Sequence, residues 1–199
     1  MNRISLLVKI MPGIICLIFS AACSTGQNIP FGMIEKSAVI KKGRIAILAA
    51  NGLNDSVRVA EMLSERLAKE KSLTVIDQDS ITRVIPGYPG MEFPDNNRVP
   101  DSLSPESRGQ LMRFRQLLGA DYMVLIWVYK SEARSGIFYT RSNAHFGAKL
   151  VAFPSCRVIG YSEFSKNDFS PFQSANDSLK NLYSVAVQEI VEHIGKYTK

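Results

Sequence analysis

The chain has 199 residues and a formal net charge of +6, from 24 Lys and Arg against 18 Asp and Glu. About 170 residues follow an N-terminal apolar segment and its polar sequel, enough for one core and too few for two. With only three cysteines, a disulfide-rich framework is excluded. The charge excess fits work near anionic head groups or polymer, and equally a solvated surface.

Met1 to Lys9 carry Arg3 and Lys9 and no acid, and an uncharged apolar run follows from Ile10 to Ala22. These are the n-region and h-region of a secretory signal. The run is about half the ~20 residues that cross a bilayer as a helix, and Pro12-Gly13 interrupt it. Phe19-Ser20-Ala21-Ala22-Cys23 then resembles the lipobox of bacterial lipoproteins, in which small side chains lie extended in a processing site and the cysteine thiol accepts lipid. Ser24-Thr25-Gly26-Gln27-Asn28 is a polar, small-residue tether.

The resemblance implies a signal peptide over 1–22, a lipidated Cys23 opening a tether over 23–42, and a globular domain over 43–199. The membrane is then a partner through the lipid on Cys23. Ser24, rather than Asp, after the cysteine resembles the outer-membrane signal of enteric-type bacteria, so the domain is expected to face the periplasm from that membrane, with the inner membrane as the other possibility. A plain secretory signal cut near Ala22 would leave Cys23 as a free thiol. Either way export removes the chain from nucleic acid. With Cys23 lipidated, Cys156 has no disulfide partner and the apolar core must hold the domain.

Ile29 to Val39 show no clear period and read as an extended lead-in. Arg44 to Ala50 is a short apolar run between Gly43 and Gly52, the pattern of a strand buried on both faces. Asn51 to Asp55 turn the chain into a helix over Ser56 to Lys69, with Ala60, Leu63 and Leu67 on one face. Leu73 to Asp77 favour a second strand, and a short helical turn fits Asp79 to Ile85. Pro86 to Pro105 is a long loop punctuated by six Gly and Pro residues after Pro86. Loops of that length are often functional, although Tyr88, Met91 and Phe93 could equally lie against the body.

Ser104-Pro105-Glu106 starts a helix with an N-cap, a first-turn proline and an acid at the positive end. Leu111, Phe114 and Leu118 mark its buried face, and Gly119 ends it. Tyr122 to Tyr129 is the strongest strand signal and reads as central. A polar turn is expected over Lys130 to Gly136. Ala144, Phe146, Ala148, Leu150 and Ala152 then alternate against His145, Gly147 and Lys149, one buried and one wet face of an antiparallel strand. Pro154-Ser155 turn it into Arg157 to Tyr161. A polar stretch from Ser165 to Asn176 precedes a final helix whose stripe is Leu179, Leu182, Tyr183, Ala186, Ile190 and Ile194. The fold class is α/β (α+β), a mixed sheet of about five strands with helices packed against it.

Several strings support a narrower resemblance. Ile45 to Leu48 looks like an opening strand, and Leu73 to Asp77 with Ser80-Ile81 like a second strand and its short helix. Leu118-Gly119-Ala120-Asp121-Tyr122 looks like a helix-to-central-strand junction, and Lys149 to Tyr161 like a closing hairpin. Together they resemble the domain shared by the curli-secretion lipoprotein CsgG, the N-terminal domain of TolB and the penicillin-binding-protein activator LpoB. Ala49-Ala50 stand where that family usually has a proline and an aromatic. The resemblance implies a periplasm-facing module in envelope assembly, secretion support or control of wall synthesis.

No catalytic constellation is legible. His145 lies on a wet strand face, His193 beside an apolar stripe, and neither has a metal-ligand neighbour at the required spacing. Cys156 reads as inert packing. No cofactor motif occurs, no metal site is expected, and Asp77, Asp79 and Asp121 read as turn and cap residues. The expected role is a non-catalytic binding or scaffolding module with an envelope protein as partner, and the candidate contact residues are Tyr88, Met91, Phe93 and Arg98. Two alternatives stay open. A secretion-channel subunit needs lipid-facing strands of ~9–11 residues, for which only Ile137 to Phe153 alternates suitably. An envelope polysaccharide or peptidoglycan hydrolase needs a cleft with two carboxylates.

Overall fold

A computed structural model of the chain describes residues 29–34, 39–70, 72–93 and 102–198, with 29–31 described by their backbone only. The segment expected to be a signal peptide, Cys23 and Arg98 lie outside the described residues. Six strands form a mixed sheet in the order β1-β6-β5-β4-β2-β3. They are β1 (Ile29–Met33), β2 (Gly43–Ala49), β3 (Leu73–Val75), β4 (Tyr122–Ser135), β5 (Tyr139–Ala152) and β6 (Arg157–Pro171). The helices are α1 (Asn54–Leu67), α2 (Gln78–Val84), α3 (Pro105–Leu118) and α4 (Ala175–Tyr197).

β2 runs parallel to both β3 and β4, whereas β4, β5, β6 and β1 pair antiparallel in sequence. The chain leaves β2 toward β3 on one side and then crosses back to β4 on the other. Right-handed crossovers in opposite directions place α1 on one face and the α2–α3 segment on the other. α4 joins α1, packing on β4 and β5. Ile47, Val124, Ile126, Ala148, Leu150, Leu63, Tyr183 and Ile190 therefore share one core. Each fully buried Leu, Ile or Val contributes roughly 1.5–3 kcal/mol.

The helix boundaries follow local chemistry. Ser104 accepts the Ser107 N–H at 3.1 Å, and Ser174 accepts that of Asp177 at 3.1 Å, each capping an otherwise orphaned donor. Asp77 caps α2 in the same way through Ser80, bonds that hold its carboxyl below the ordinary aspartate range. Gly119 ends α3 at φ +61, and a β-carbon there would lie 2.8 Å from Arg44 Nη1. The Asp121 carboxylate accepts the Arg44 N–H at 2.9 Å. The Gly-Ala-Asp string thus docks α3 onto the start of the β2–β4 pair.

Four expectations need correction. Ile29–Met33, counted in the lead-in and tether, form the edge strand β1 on β6, a sixth strand. β4 runs on through the expected polar turn to Ser135, and β6 runs on to Pro171. The second face of β5 is not wet at its centre: Lys149 is buried and donates to the Ser102 carbonyl at 3.0 Å, because the segment between β3 and β4 covers that face. Away from the centre, His145 and Asn143 are half-exposed and Arg141 is exposed.

Candidate functional site

β3 has three residues and leaves the edge of β2 unpaired beyond Ile45. Side chains supply what a longer strand would. Gln78 Nε2 donates to the Ile47 carbonyl at 2.9 Å, and the Ala49 N–H donates to the Tyr88 hydroxyl at 3.2 Å. Tyr88 in turn donates to Gln78 Oε1 at 3.0 Å. Burial pushes the Tyr88 phenol up, against the lowering effect of the Ala49 bond. The Phe93 N–H donates to the Ala50 carbonyl at 2.8 Å, and the Phe93 ring meets Phe114 edge-on at 5.9 Å. Tyr88 and Phe93, two of the four candidate contact residues, therefore complete a sheet edge and the core. Met91 is half-buried against that core.

The same segment nevertheless walls a cleft. A depression of about 250 Å³ is lined by Asn51, Leu53, Glu92, Phe93, Trp127, Val128 and Tyr129. It lies at the carboxyl end of β2, where the parallel pairing of β2 with β4 stops at Ala49 and Ile126 and the chain's path from β2 reverses. In α/β sheets this is where ligands are characteristically held, because the flanking connections diverge to opposite faces. Asn51 and Ser56 take over from β2 in pairing the edge of β4 here: Asn51 Nδ2 donates to the Val128 carbonyl at 2.8 Å, and the Val128 N–H donates to Ser56 Oγ at 3.0 Å. The β4–β5 ladder shifts between Val128 and Lys130, making Tyr129 the extra residue of a bulge, a device that re-aims side chains beside sites.

Two features of the cleft are chemically incomplete. Trp127 is 2% exposed and its indole N–H has no hydrogen-bond partner among the described residues, a deficit worth roughly 1–3 kcal/mol. Leu53, the N-cap position of α1, is 53% exposed and caps nothing with its side chain.

Beyond Tyr129 lies a polar cluster. His145 Nε2 and Glu163 Oε1 are 2.6 Å apart, Tyr161 donates to Glu163 Oε2 at 2.8 Å, and the Tyr129 and His145 rings are 5.0 Å apart. Glu163 was not singled out from the sequence, which offered no signal beyond a polar residue after an apolar run. Cys156 is buried, its thiol 3.9 Å from the Arg108 carbonyl, and burial pushes the thiol up, which disfavours the thiolate. His193 Nδ1 lies 2.7 Å from the Glu189 carbonyl of its own helix. Among the described residues no group of three or more His, Cys, Asp or Glu could hold a metal ion.

No protein-family model matches the sequence, and no curated protein matches it. Solved structures do match. The chain is similar to the PelC L103M dodecamer from Paraburkholderia phytofirmans at 8% identity and a TM-score of 0.53, covering 87% of this chain and 99% of that one. It is also similar to the lipoprotein GNA1162 from Neisseria meningitidis, at 19% identity and a TM-score of 0.46 over 75% of this chain and 98% of that one. The hypothetical protein CT253 from Chlamydia trachomatis shares 17% identity with a TM-score of 0.44, over 78% and 97% of the two chains. At 8% identity the PelC similarity shows the fold alone, a mixed sheet with helices packed on it.

Proposed function

We propose that this chain is a lipid-tethered, non-catalytic binding module of the cell envelope. It faces the periplasm from the outer membrane and holds an envelope protein in the cleft between Leu53, Glu92 and Trp127. The observation that carries the reading is the cleft itself, in which the exposed Leu53 lies beside Trp127, whose buried indole N–H has no hydrogen-bond partner among the described residues. A partner that covers Leu53 removes its apolar surface from water, and one that also shifts the cleft wall far enough to reach the buried indole satisfies its N–H. The Cys23 lipobox supports the tether, since a lipid confines the module to one surface and raises the effective concentration of its partner. The narrower likeness to the CsgG, TolB and LpoB domains belongs to this proposal, as does the placement in envelope assembly, secretion support or control of wall synthesis.

The test is a photo-crosslinking residue at Leu53 in living cells, with a matched one at Leu117 on the far end of the sheet. A discrete adduct with one envelope protein from Leu53 alone, weakened by Trp127→Phe, is the expected outcome. Identical adducts from both positions would remove the cleft from consideration. Intact-mass analysis showing an unlipidated Cys23 would remove the tether.

A second reading rests on the PelC similarity, because that protein is described as a dodecamer. On it, this chain is a subunit of a ring, as the channel alternative also requires. Light scattering of the detergent-solubilised full chain separates the two: a single high-order species favours the ring, and a monomer favours the module.

A further inference from the structure

The far ends of β4, β5 and β6 are covered by a helix on one face only, at the start of α4, and finish in exposed apolar residues. At the β4–β5 turn Ile137 is 89% and Phe138 67% exposed, and just beyond β6 Phe172 is 80% exposed. Single exposed apolar residues are ordinary, but a cluster this concentrated marks an interaction surface. The Phe172 N–H donates to the Phe138 carbonyl at 3.2 Å, and the two rings lie 6.4 Å apart. Phe172 sits at φ +57, a left-handed conformation that a bulky residue adopts only under constraint. Behind this tip Tyr139 and Phe169 stack at 4.8 Å, both partly exposed.

The next layer is cationic. Arg134 and Arg141 face each other directly across the β4–β5 ladder, both exposed. Like charges in that register destabilise a sheet unless an anion joins them. They line a depression of about 240 Å³ together with Lys130, Glu132, Asn143 and Asn167. Among the described residues the only acid lining it, Glu132, is 3.4 Å from Lys130. Going back along the strands, the order is aliphatic and Phe, then stacked aromatics, then paired arginines. Phe138 and Arg141 are three residues apart, about 10 Å along a strand. That depth matches an apolar tip sunk about 5–10 Å into a lipid interface with its cations level with the phosphates.

The entry of the chain agrees. Ile29 lies opposite Glu163 and Met33 opposite Gly160, so the chain enters β1 from the side on which β6 ends. Five residues separate Cys23 from Ile29, six steps along the chain with a reach of about 20 Å, against about 26 Å from Glu163 to Pro171. A lipid on Cys23 can therefore lie at nearly the level of the tip.

We infer that the β4–β5 turn with Phe172 is a second membrane contact, inserting into an anionic bilayer surface and orienting the module that Cys23 tethers. The tip is too short to span a bilayer, for which strands of ~9–11 residues are required. The inference uses the tether reading only for the matching of levels.

The test places indoles in the full-length lipidated chain by F138W and, as a control at the opposite end of the sheet, L117W. Each is reconstituted into vesicles of phosphatidylethanolamine with phosphatidylglycerol, or of phosphatidylcholine alone, containing brominated lipid. The native Trp127 contributes equally to both variants. Several-fold stronger quenching of F138W than of L117W, greater with phosphatidylglycerol and abolished by R134E/R141E, is expected, and F172W repeats the result from the other strand. Equal quenching of F138W and L117W overturns the proposal, as does indifference to lipid charge. An emission shift of F138W without vesicles that grows with protein concentration also overturns it, because a second copy then occupies the tip. Intact mass at Cys23 is scored separately, so a missing lipid defeats the tether while the quenching still decides the tip.

Discussion

The two ends of the sheet are built from the same three strands and obey different rules. In the covered part, Leu125, Trp127, Phe146, Leu150 and Val158 are buried with helices or ordered segments on both faces. In the projecting part, one face carries small hydroxyls against the start of α4, where Ser142 and Ser178 are 2.7 Å apart, and the other carries Arg134, Arg141, Asn143 and Asn167. The first region is specified by apolar area, the second by strand pairing and short polar contacts, with its apolar residues left outside. Stability is therefore expected to reside in the covered end and contact with other molecules in the projecting one.

Substitutions should separate the two ends by their size. Phe146, 1% exposed and in contact with the rings of Phe164 and Tyr183, anchors the covered end. Phe146→Ala is expected to cost about 3–5 kcal/mol in urea unfolding, from lost transfer energy plus a cavity. Tyr88→Phe keeps the ring and removes the hydroxyl that accepts from Ala49 and donates to Gln78. It should cost about 1–3 kcal/mol, because the Ala49 N–H is left buried and unpaired. A cost near zero would mean that the edge of β2 finds another partner.

Tyr183 stands at the boundary of the two ends. Burial pushes its phenol from 10 up to about 12, assisted by Asp55 and opposed by the Ser131 hydroxyl and Arg58. A folded-state value above the unfolded one favours the protonated form, so its contribution is fully present below pH 10 and is lost as pH rises toward about 12. The unfolding midpoint should fall across that window, and Tyr183→Phe should flatten the fall. An unchanged slope in that variant would assign the alkaline loss to other groups.

The covered end was legible in the sequence because its elements announce themselves by apolar period. Ala60, Leu63 and Leu67 gave α1, Leu111, Phe114 and Leu118 gave α3, and Tyr122 to Tyr129 gave the buried part of β4. The projecting end was not, because its inward residues are Ser131, Ala133, Thr140, Ser142 and Ser170. Their alternation is one of size and hydroxyl chemistry, and it reads as a loop. The candidate site was legible in part: the Pro- and Gly-rich segment does wall the cleft through Glu92 and Phe93. Burial of Tyr88 follows from the shortness of β3, which is a tertiary fact. Trp127 was not singled out, although an indole inside an aliphatic strand carries an N–H that needs a partner. Only the structure brings Leu53 and Glu92 beside it.

The smallest expected effect on stability sharpens the comparison most. Ile137→Ser with Phe138→Ser removes two exposed apolar side chains from the turn, where neither is part of the core. Surface changes of this kind stay within about 0.5 kcal/mol, so the urea midpoint should hardly move, while attachment of the tip to anionic vesicles should be lost. Phe146→Ala should give the reverse pattern, a large loss of stability with the tip residues intact. If the double serine variant unfolds as readily as Phe146→Ala, the turn is structural and the division between the two ends fails. If it stays folded and loses its hold on the bilayer, the exposed aromatics owe their position to what they touch outside the chain.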